Sequence, residues 1–110
     1  EKPVNSGGEQ DLKGSKGSKV ILRLSNAVNV VATIKSPRRF RPKFEFDWNG
    51  EKDLVLVNAP AGVYKTTLKI DDKKLPSITF SVPEPKSDSA TCEFALDLKG
   101  EIQWDGKCGS

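Results

Sequence analysis

The sequence predicts an all-β protein: a seven- to eight-stranded antiparallel β-sandwich whose C-terminal hairpin is joined by one disulfide. Apolar and polar residues alternate in short segments, and turns rich in Gly, Pro and Asn separate them, which is typical of strands buried on one face. No segment keeps the apolar periodicity of a helix. Short strands at this spacing favour two sheets that bury one face each against the other.

Three candidate strands come first, at 19–24, 27–35 and 43–48. The second and third alternate with period two, so one side of each is expected to face the core. The inward residues predicted on them are Val28, Val30, Ala32 and Ile34, then Phe44, Phe46 and Trp48.

Three further strands are predicted at 54–58, 63–70 and 77–82, after a turn at Asn49-Gly50. Both faces of 54–58 are apolar, so its inward set stays open. The inward residues predicted on the other two are Tyr64, Thr66, Leu68 and Ile70, then Ile78, Phe80 and Val82. We expect Tyr64 at the edge of the core, with its hydroxyl bonded to a nearby backbone group.

The last predicted element is a hairpin between Cys92 and Cys108, with a three-residue loop at 98–100. This register sets Phe94 opposite Trp104 and brings the two cysteines within one diagonal step. The alternative to a structural disulfide is a redox or metal site, but two cysteines without any histidine do not complete a set of four soft metal ligands. We therefore predict a disulfide and an oxidising compartment: secreted, periplasmic or cell-surface.

Residues 1–18 are rich in Gly, Ser and Lys, which predicts a flexible leader before a single domain at 19–110. No apolar run approaches the roughly 18 residues of a membrane-spanning helix, so no membrane span is expected. After Pro60, the run Ala61-Gly62-Val63-Tyr64 resembles the "P-x-G-x-Y" entry strand of immunoglobulin-like and transthyretin-like secreted modules. The resemblance implies sandwich architecture and an extracellular setting.

The strongest candidate site is the basic run 35–43. Residues 1–43 hold ten basic and three acidic side chains, a balance of +7, whereas residues 44–110 hold eight and twelve, a balance of −4. Arg and Lys at close spacing are suited to phosphate or sulfate groups, and an aromatic ring among them could stack on a base or a sugar. The alternative is a solvated loop that protects a sheet edge. The candidate polyanion-binding residues are Lys35, Arg38, Arg39, Phe40, Arg41 and Lys43.

Other residue patterns give weaker signals. Trp48 and Trp104 could be platforms for a sugar ring, but their inward parity favours the core. Acidic clusters at 47–53 and 71–72 do not match a calcium loop, and Lys73-Lys74 would repel a cation, so no metal or cofactor is predicted. Without histidine, Ser-His and Cys-His nucleophile systems are excluded, and we do not expect an enzyme.

The sequence therefore predicts a secreted or cell-surface, non-catalytic binding module. A protein partner, bound through an edge strand or a loop surface, is the first expectation. The alternatives are polyanion binding through the 35–43 loop, with nucleic acid, sulfated glycan or anionic lipid as ligand, and a structural role in an extracellular assembly.

Overall fold

The computed structural model describes residues 4–13, 17–84 and 90–109, which form eleven strands and no helix in these ranges. The strands are β1 (Val4–Asn5), β2 (Gly8–Asp11), β3 (Ser18–Ser25), β4 (Val30–Lys35), β5 (Glu45–Trp48), β6 (Leu54–Ala59), β7 (Gly62–Ile70), β8 (Lys73–Lys74), β9 (Ile78–Val82), β10 (Thr91–Asp97) and β11 (Asp105–Gly109). All eight predicted strands are present, so the all-β prediction is confirmed.

The strands form two sheets with the core between them. Sheet 1 has the order β1-β5-β4-β7, and β8 and β9 pair with different parts of β7. Sheet 2 has the order β11-β10-β3-β6-β2. The sheets are mixed rather than antiparallel, because β1 pairs in parallel with β5, β2 with β6 and β3 with β10. These partners are distant in sequence, so no tight hairpin turn forces them to run antiparallel.

The core is built from the alternate residues of both sheets. Leu54 and Leu56 are fully buried, which resolves the inward set of β6 that the sequence left open. An aromatic row joins the sheets: the ring centroids of Tyr64 and Phe80 lie 5.0 Å apart, and those of Phe80 and Phe94 lie 5.2 Å apart. Such contacts contribute beyond simple area burial. They tie β7 and β9 of sheet 1 to β10 of sheet 2.

The predicted inward faces are confirmed except at one position. Trp48 is fully buried, and its indole N–H donates to the Lys52 carbonyl at 2.9 Å. Val28, predicted to face the core, is 69% exposed instead. The reason is that β4 begins only at Val30, after Asn29 adopts a left-handed backbone with φ of 52°, which ends the alternation.

The C-terminal hairpin contains the predicted disulfide between Cys92 and Cys108, but its register differs from the prediction. The two cysteines are direct cross-strand partners, and Phe94 pairs with Gly106 rather than with Trp104. The predicted three-residue loop is wrong: residues 98–104 make the connection, because Trp104 turns away to donate its indole N–H to the Thr66 hydroxyl at 3.2 Å. At 106 only glycine fits, since a Cβ would collide with the Glu93 carbonyl oxygen.

Two parts of the segment predicted as a flexible leader are strands. Val4–Asn5 pairs with β5, and Gly8–Asp11 pairs with β6. The polar composition does not prevent this, because strand pairing uses backbone groups: the Leu12 N–H, for example, donates to the Val57 carbonyl at 2.8 Å. Residues 1–3 and 14–16 of the predicted leader lie outside the described residues.

Candidate functional site

The candidate site lies on the outer face of sheet 1, where β4, β5, β7 and β9 run side by side. Lys35 on β4 is the cross-strand partner of Glu45 on β5 and of Lys65 on β7. Lys65 in turn is the partner of Thr79 on β9. Neighbouring strands are about 4.8 Å apart, so these four side chains form one continuous row across the sheet. Their inward neighbours Ile34 and Tyr64 are fully buried, which fixes the row on the solvent side.

The basic 35–43 segment begins at the last residue of β4 and forms most of the loop to β5, at one end of this row. The Ser36 N–H donates to the Phe44 carbonyl at 3.0 Å, and the Ser36 hydroxyl accepts from the Phe44 N–H at 3.1 Å. Within the loop, the Phe40 N–H donates to the Pro37 carbonyl at 3.1 Å, closing a turn. The loop is therefore held at its base and at its tip.

Arg41 has a bracing position inside this loop. Its guanidinium donates from Nη1 to the carbonyl oxygens of Arg38, at 2.9 Å, and Phe40, at 3.1 Å. Phe40 itself is half-buried and packs edge-on against Phe44, with ring centroids 5.8 Å apart. Arg41 and Phe40 therefore shape the loop, and the half-buried Phe40 ring packs on Phe44.

Pro37 anchors the loop by packing against the first residue of β7, Gly62. Pro37 is buried, and it lies so close to Gly62 that a Cβ at 62 would be 2.7 Å from the Pro37 Cβ. Gly62 also has a φ of 142°, a backbone conformation that glycine adopts readily and other residues rarely do. The Gly62 that belongs to the "P-x-G-x-Y" run therefore positions the basic loop over sheet 1.

Between the loop and the outer face of sheet 1 lies an open cleft of about 700 Å³, called here the cationic cleft. Four basic side chains line it together with one carboxylate, two hydroxyls and apolar surface. These are Lys35, Arg38, Lys43 and Lys65, with Glu45, Ser36, Thr79, Phe44 and Val63. A second depression of about 500 Å³ adjoins it and is lined in part by Arg39 and Phe40.

The positive charge of the cationic cleft is compensated only in part, by Glu45, the cross-strand partner of Lys35 on β5. Lys35 and Lys65 stand directly opposite one another, and like charges in such a position destabilise a sheet. In the described parts of the chain the ion pairs are Arg23–Asp53, at 2.9 Å, and Lys69–Asp72, at 3.8 Å. Neither involves a cation of the cleft. A multivalent anion would supply the missing countercharge.

The charge asymmetry of the sequence persists in the folded chain. The outer face of sheet 1, with its loop, carries eight basic and three acidic residues: Lys35, Arg38, Arg39, Arg41, Lys43, Lys65, Lys69 and Lys74 against Glu45, Asp47 and Asp72. The outer face of sheet 2 carries three basic and five acidic residues: Lys19, Arg23 and Lys107 against Glu9, Asp11, Glu93, Asp97 and Asp105. Such a field favours anions at sheet 1 and disfavours them at sheet 2.

Of the six residues predicted from the sequence, the structure brings three together in the cleft: Lys35, Arg38 and Lys43. Sequence reasoning missed Lys65 and Thr79. The period-two pattern of β7 already places Lys65 on the side opposite to buried Tyr64, so its outward direction could be predicted. Its position next to Lys35 could not, because that depends on which strands pair.

The other side chains that the sequence singled out, the aromatic residues and the acidic clusters, lie in the core or do not form a site. The Tyr64 hydroxyl donates to the Pro60 carbonyl at 2.6 Å, which confirms the predicted backbone bond, and burial raises the pKa of Tyr64 above its ordinary value. Trp104 is half-buried against Phe80. Among the described residues, no three His, Cys, Asp or Glu side chains gather closely enough to hold a metal ion.

Two further findings bear on the setting of the protein. The disulfide is consistent with an oxidising, exported environment. No helix in the described ranges has the length and apolar character needed to cross a membrane. Comparison with known proteins finds no family model that matches the chain, no similar curated protein and no similar solved structure.

Proposed function

We propose that this chain is a non-catalytic binding module of an exported protein and that it binds multivalent anions in the cationic cleft. The observation that carries the proposal is the convergence of Lys35, Arg38, Lys43 and Lys65 around one open cleft with Glu45 as its carboxylate. Three of these cations belong to the contiguous 35–43 segment, and the pairing of β4 with β7 adds Lys65 from a strand distant in sequence. Folding thus adds a further charge to an already basic segment.

The stability cost of this arrangement supports a functional reading. The opposed Lys35–Lys65 pair destabilises the sheet by roughly 0.2–1 kcal/mol relative to a neutral pair. Departures from the most stable choice of residue are concentrated at functional sites. The loop is also fixed before a ligand arrives, by Arg41 and by the contact of Pro37 with Gly62, so that little entropy is lost on binding.

The exported setting of the proposal rests on the disulfide and on the resemblance of residues 60–64 to immunoglobulin-like and transthyretin-like secreted modules. Both favour a module that functions outside the cytoplasm. A small sandwich stapled at one hairpin keeps its fold in an oxidising medium.

A protein partner is the second candidate, and one observation favours it. In the described part of sheet 1, β9 (Ile78–Val82) pairs with β7 on one side only and carries no charged residue. Natural edge strands are usually protected by charges, prolines or bulges against pairing with another chain. An extended peptide could therefore add to β9 as a further strand.

Heparin chromatography tests the anion-binding proposal. We expect the wild-type protein to elute above the physiological ionic strength of about 0.15 M, and the variant Arg38→Ala/Lys43→Ala/Lys65→Ala to elute far earlier. The matched control is Lys73→Ala/Lys99→Ala/Lys107→Ala, which removes the same charge from exposed positions outside the cleft. Equal shifts of the two variants would show that only net charge matters and would contradict the proposal.

A further inference from the structure

We infer that the anion bound in the cationic cleft is a sulfated glycan. The inference rests on the proposed function and specifies its ligand class. The cleft combines three kinds of surface: separate positive charges, groups that bond to hydroxyls, and small apolar areas. A sulfated polysaccharide presents the complement of all three, namely separate sulfate groups, free hydroxyls and C–H faces of the sugar rings.

Glu45 is the feature that distinguishes this ligand class from a nucleic acid. It lies exposed in the same cross-strand row as Lys35 and Lys65 and lines the cleft with them. An ionised carboxylate only accepts hydrogen bonds, and sugar hydroxyls can donate them. The phosphodiester backbone of DNA carries no hydrogen-bond donor, so it leaves this acceptor without a partner, whereas the free hydroxyls of a glycan can donate to it. The Thr79 hydroxyl, in the same row, can donate to a ligand oxygen or accept from a hydroxyl.

The aromatic residues also disfavour a nucleic acid. Binding of single strands relies on exposed aromatic faces on which bases stack. Of the eight aromatic residues of this chain, four are buried and four, Phe40, Phe44, Phe46 and Trp104, are half-buried. In the cleft, the Phe44 ring is enclosed by Phe40, Phe46 and Tyr64, with centroids 5.8 to 6.2 Å away. Its accessible part is suited to the C–H groups of a sugar.

A membrane surface is disfavoured by the apolar residues. Interfacial binding needs several exposed apolar side chains that enter the lipid. Of the large apolar side chains that are exposed in the described residues, Val63 alone lines the cleft, and it is 55% exposed. One valine gives little insertion but is enough to contact a sugar ring.

The spacing of the charges fits an extended chain. Lys65 and Lys69 lie four residues apart on β7, which corresponds to about 14 Å along the strand. Lys35 and the loop cations lie beside Lys65. A linear polymer that follows β7 would therefore meet clustered charge at the loop and a further cation beyond it.

Binding constants measured at one ionic strength test the inference. The probes are a heparin oligosaccharide, the same oligosaccharide without its sulfates, single-stranded DNA of matched total charge, and phosphatidylserine vesicles. We expect the sulfated oligosaccharide to bind at least about tenfold more tightly than each of the others. Tighter binding of DNA or vesicles would overturn the inference and leave the proposed function standing. Cleft-independent binding, or none, to all four probes would overturn both.

The variant Glu45→Ala gives a second readout that charge alone does not produce. It removes an acceptor for ligand hydroxyls, while the loss of its negative charge favours both polyanions alike. The preference for the sulfated oligosaccharide over DNA should therefore fall about tenfold, the size expected for a hydrogen bond to a charged group. The control is Glu101→Ala, an exposed carboxylate in the 98–104 connection, which should leave the preference unchanged. An unchanged preference in Glu45→Ala would contradict the role of Glu45.

Discussion

The outer faces of the two sheets differ in which charged side chains are cross-strand partners. On sheet 2, Glu93 stands opposite Lys107 across β10 and β11, and Arg23 forms an ion pair with Asp53. On sheet 1, Lys35 stands opposite Lys65. Opposed unlike charges stabilise a sheet and opposed like charges destabilise it. The pairing on sheet 2 therefore contributes to the fold. On sheet 1 the Lys35–Lys65 pair is unfavourable, and Glu45, the partner of Lys35 on β5, offsets only part of that cost.

The two faces also differ in what fixes them. Sheet 2 is stapled by the disulfide at the end of β10 and β11. Sheet 1 instead holds its basic loop by hydrogen bonds from Arg41 and by the close contact of Pro37 with Gly62. The comparison predicts that stability and binding can be altered separately, by changes on one face or the other.

The largest expected effect is on stability, from removal of the disulfide on sheet 2. Cys92→Ala/Cys108→Ala should lower the free energy of unfolding by about 3 kcal/mol, because the bond closes a loop with a sequence separation of 16. Urea titration of the variant and the wild type measures the change. Heparin binding by the folded variant should stay unchanged, since the cleft is on the other sheet. A variant that loses binding while folded would break the separation of the two faces.

The next effect concerns the contact of Pro37 with Gly62 that anchors the basic loop. Gly62→Ala should cost about 1–3 kcal/mol of stability, because alanine at this φ is strained and its Cβ would collide with Pro37. It should also weaken heparin binding by displacing the loop. Gly100→Ala is the control: a Cβ there has no atom closer than 3.8 Å, so stability should change by less than about 0.5 kcal/mol. Equal losses of stability in the two variants would contradict the proposed role of the Pro37–Gly62 contact.

A smaller effect distinguishes the two charge pairings directly. Lys65→Thr should raise the free energy of unfolding by about 0.5 kcal/mol, because it removes a like-charge pair, and should weaken heparin binding. Lys107→Thr should lower stability by a similar amount, because it removes the partner of Glu93, and should leave binding intact. Chemical denaturation of both variants checks the opposite signs. The same sign in both would show that strand propensity dominates.

The smallest effect is a pH dependence at Asp97, on the acidic face. Hydrogen bonds from the Lys99 backbone N–H and the Asn26 side chain hold the pKa of Asp97 below its ordinary value of 3.8. A lowered folded-state pKa gives stability that is present above pH 3.8 and is lost as the pH falls through the folded value. Asp97→Asn should therefore be less stable than the wild type at neutral pH, and the difference should shrink in acid. A difference that stays constant with pH would exclude this role for the carboxylate.

Much of this architecture could be predicted from local pattern. The period-two alternation defined the strands and most of their inward faces, because burial of one face is a property of each segment alone. The cysteine pair was predictable for a similar reason, since the two residues flank a single hairpin. The basic loop was visible as a charge run that contains Pro37 and Pro42.

The parts that could not be predicted depend on contacts between distant segments. The parallel pairing of β3 with β10 has no signal in either strand. The hairpin register was missed by two residues because Trp104 contacts Thr66, which is on another sheet. The cleft itself needed the pairing of β4 with β7, which brings Lys65 beside Lys35. The sequence thus shows which residues are charged, but not which of them become neighbours in the folded chain.

An NMR titration tests the central claim most directly, because it observes both faces in one experiment. Uniformly ¹⁵N-labelled protein would be titrated with a heparin tetrasaccharide while the amide shifts are followed. The account predicts saturable shifts at Arg38, Lys43, Val63 and Lys65, and none at Arg23, Glu93 or Lys107 on sheet 2. Shifts spread evenly over both faces, or none at the cleft at saturating ligand, would contradict it.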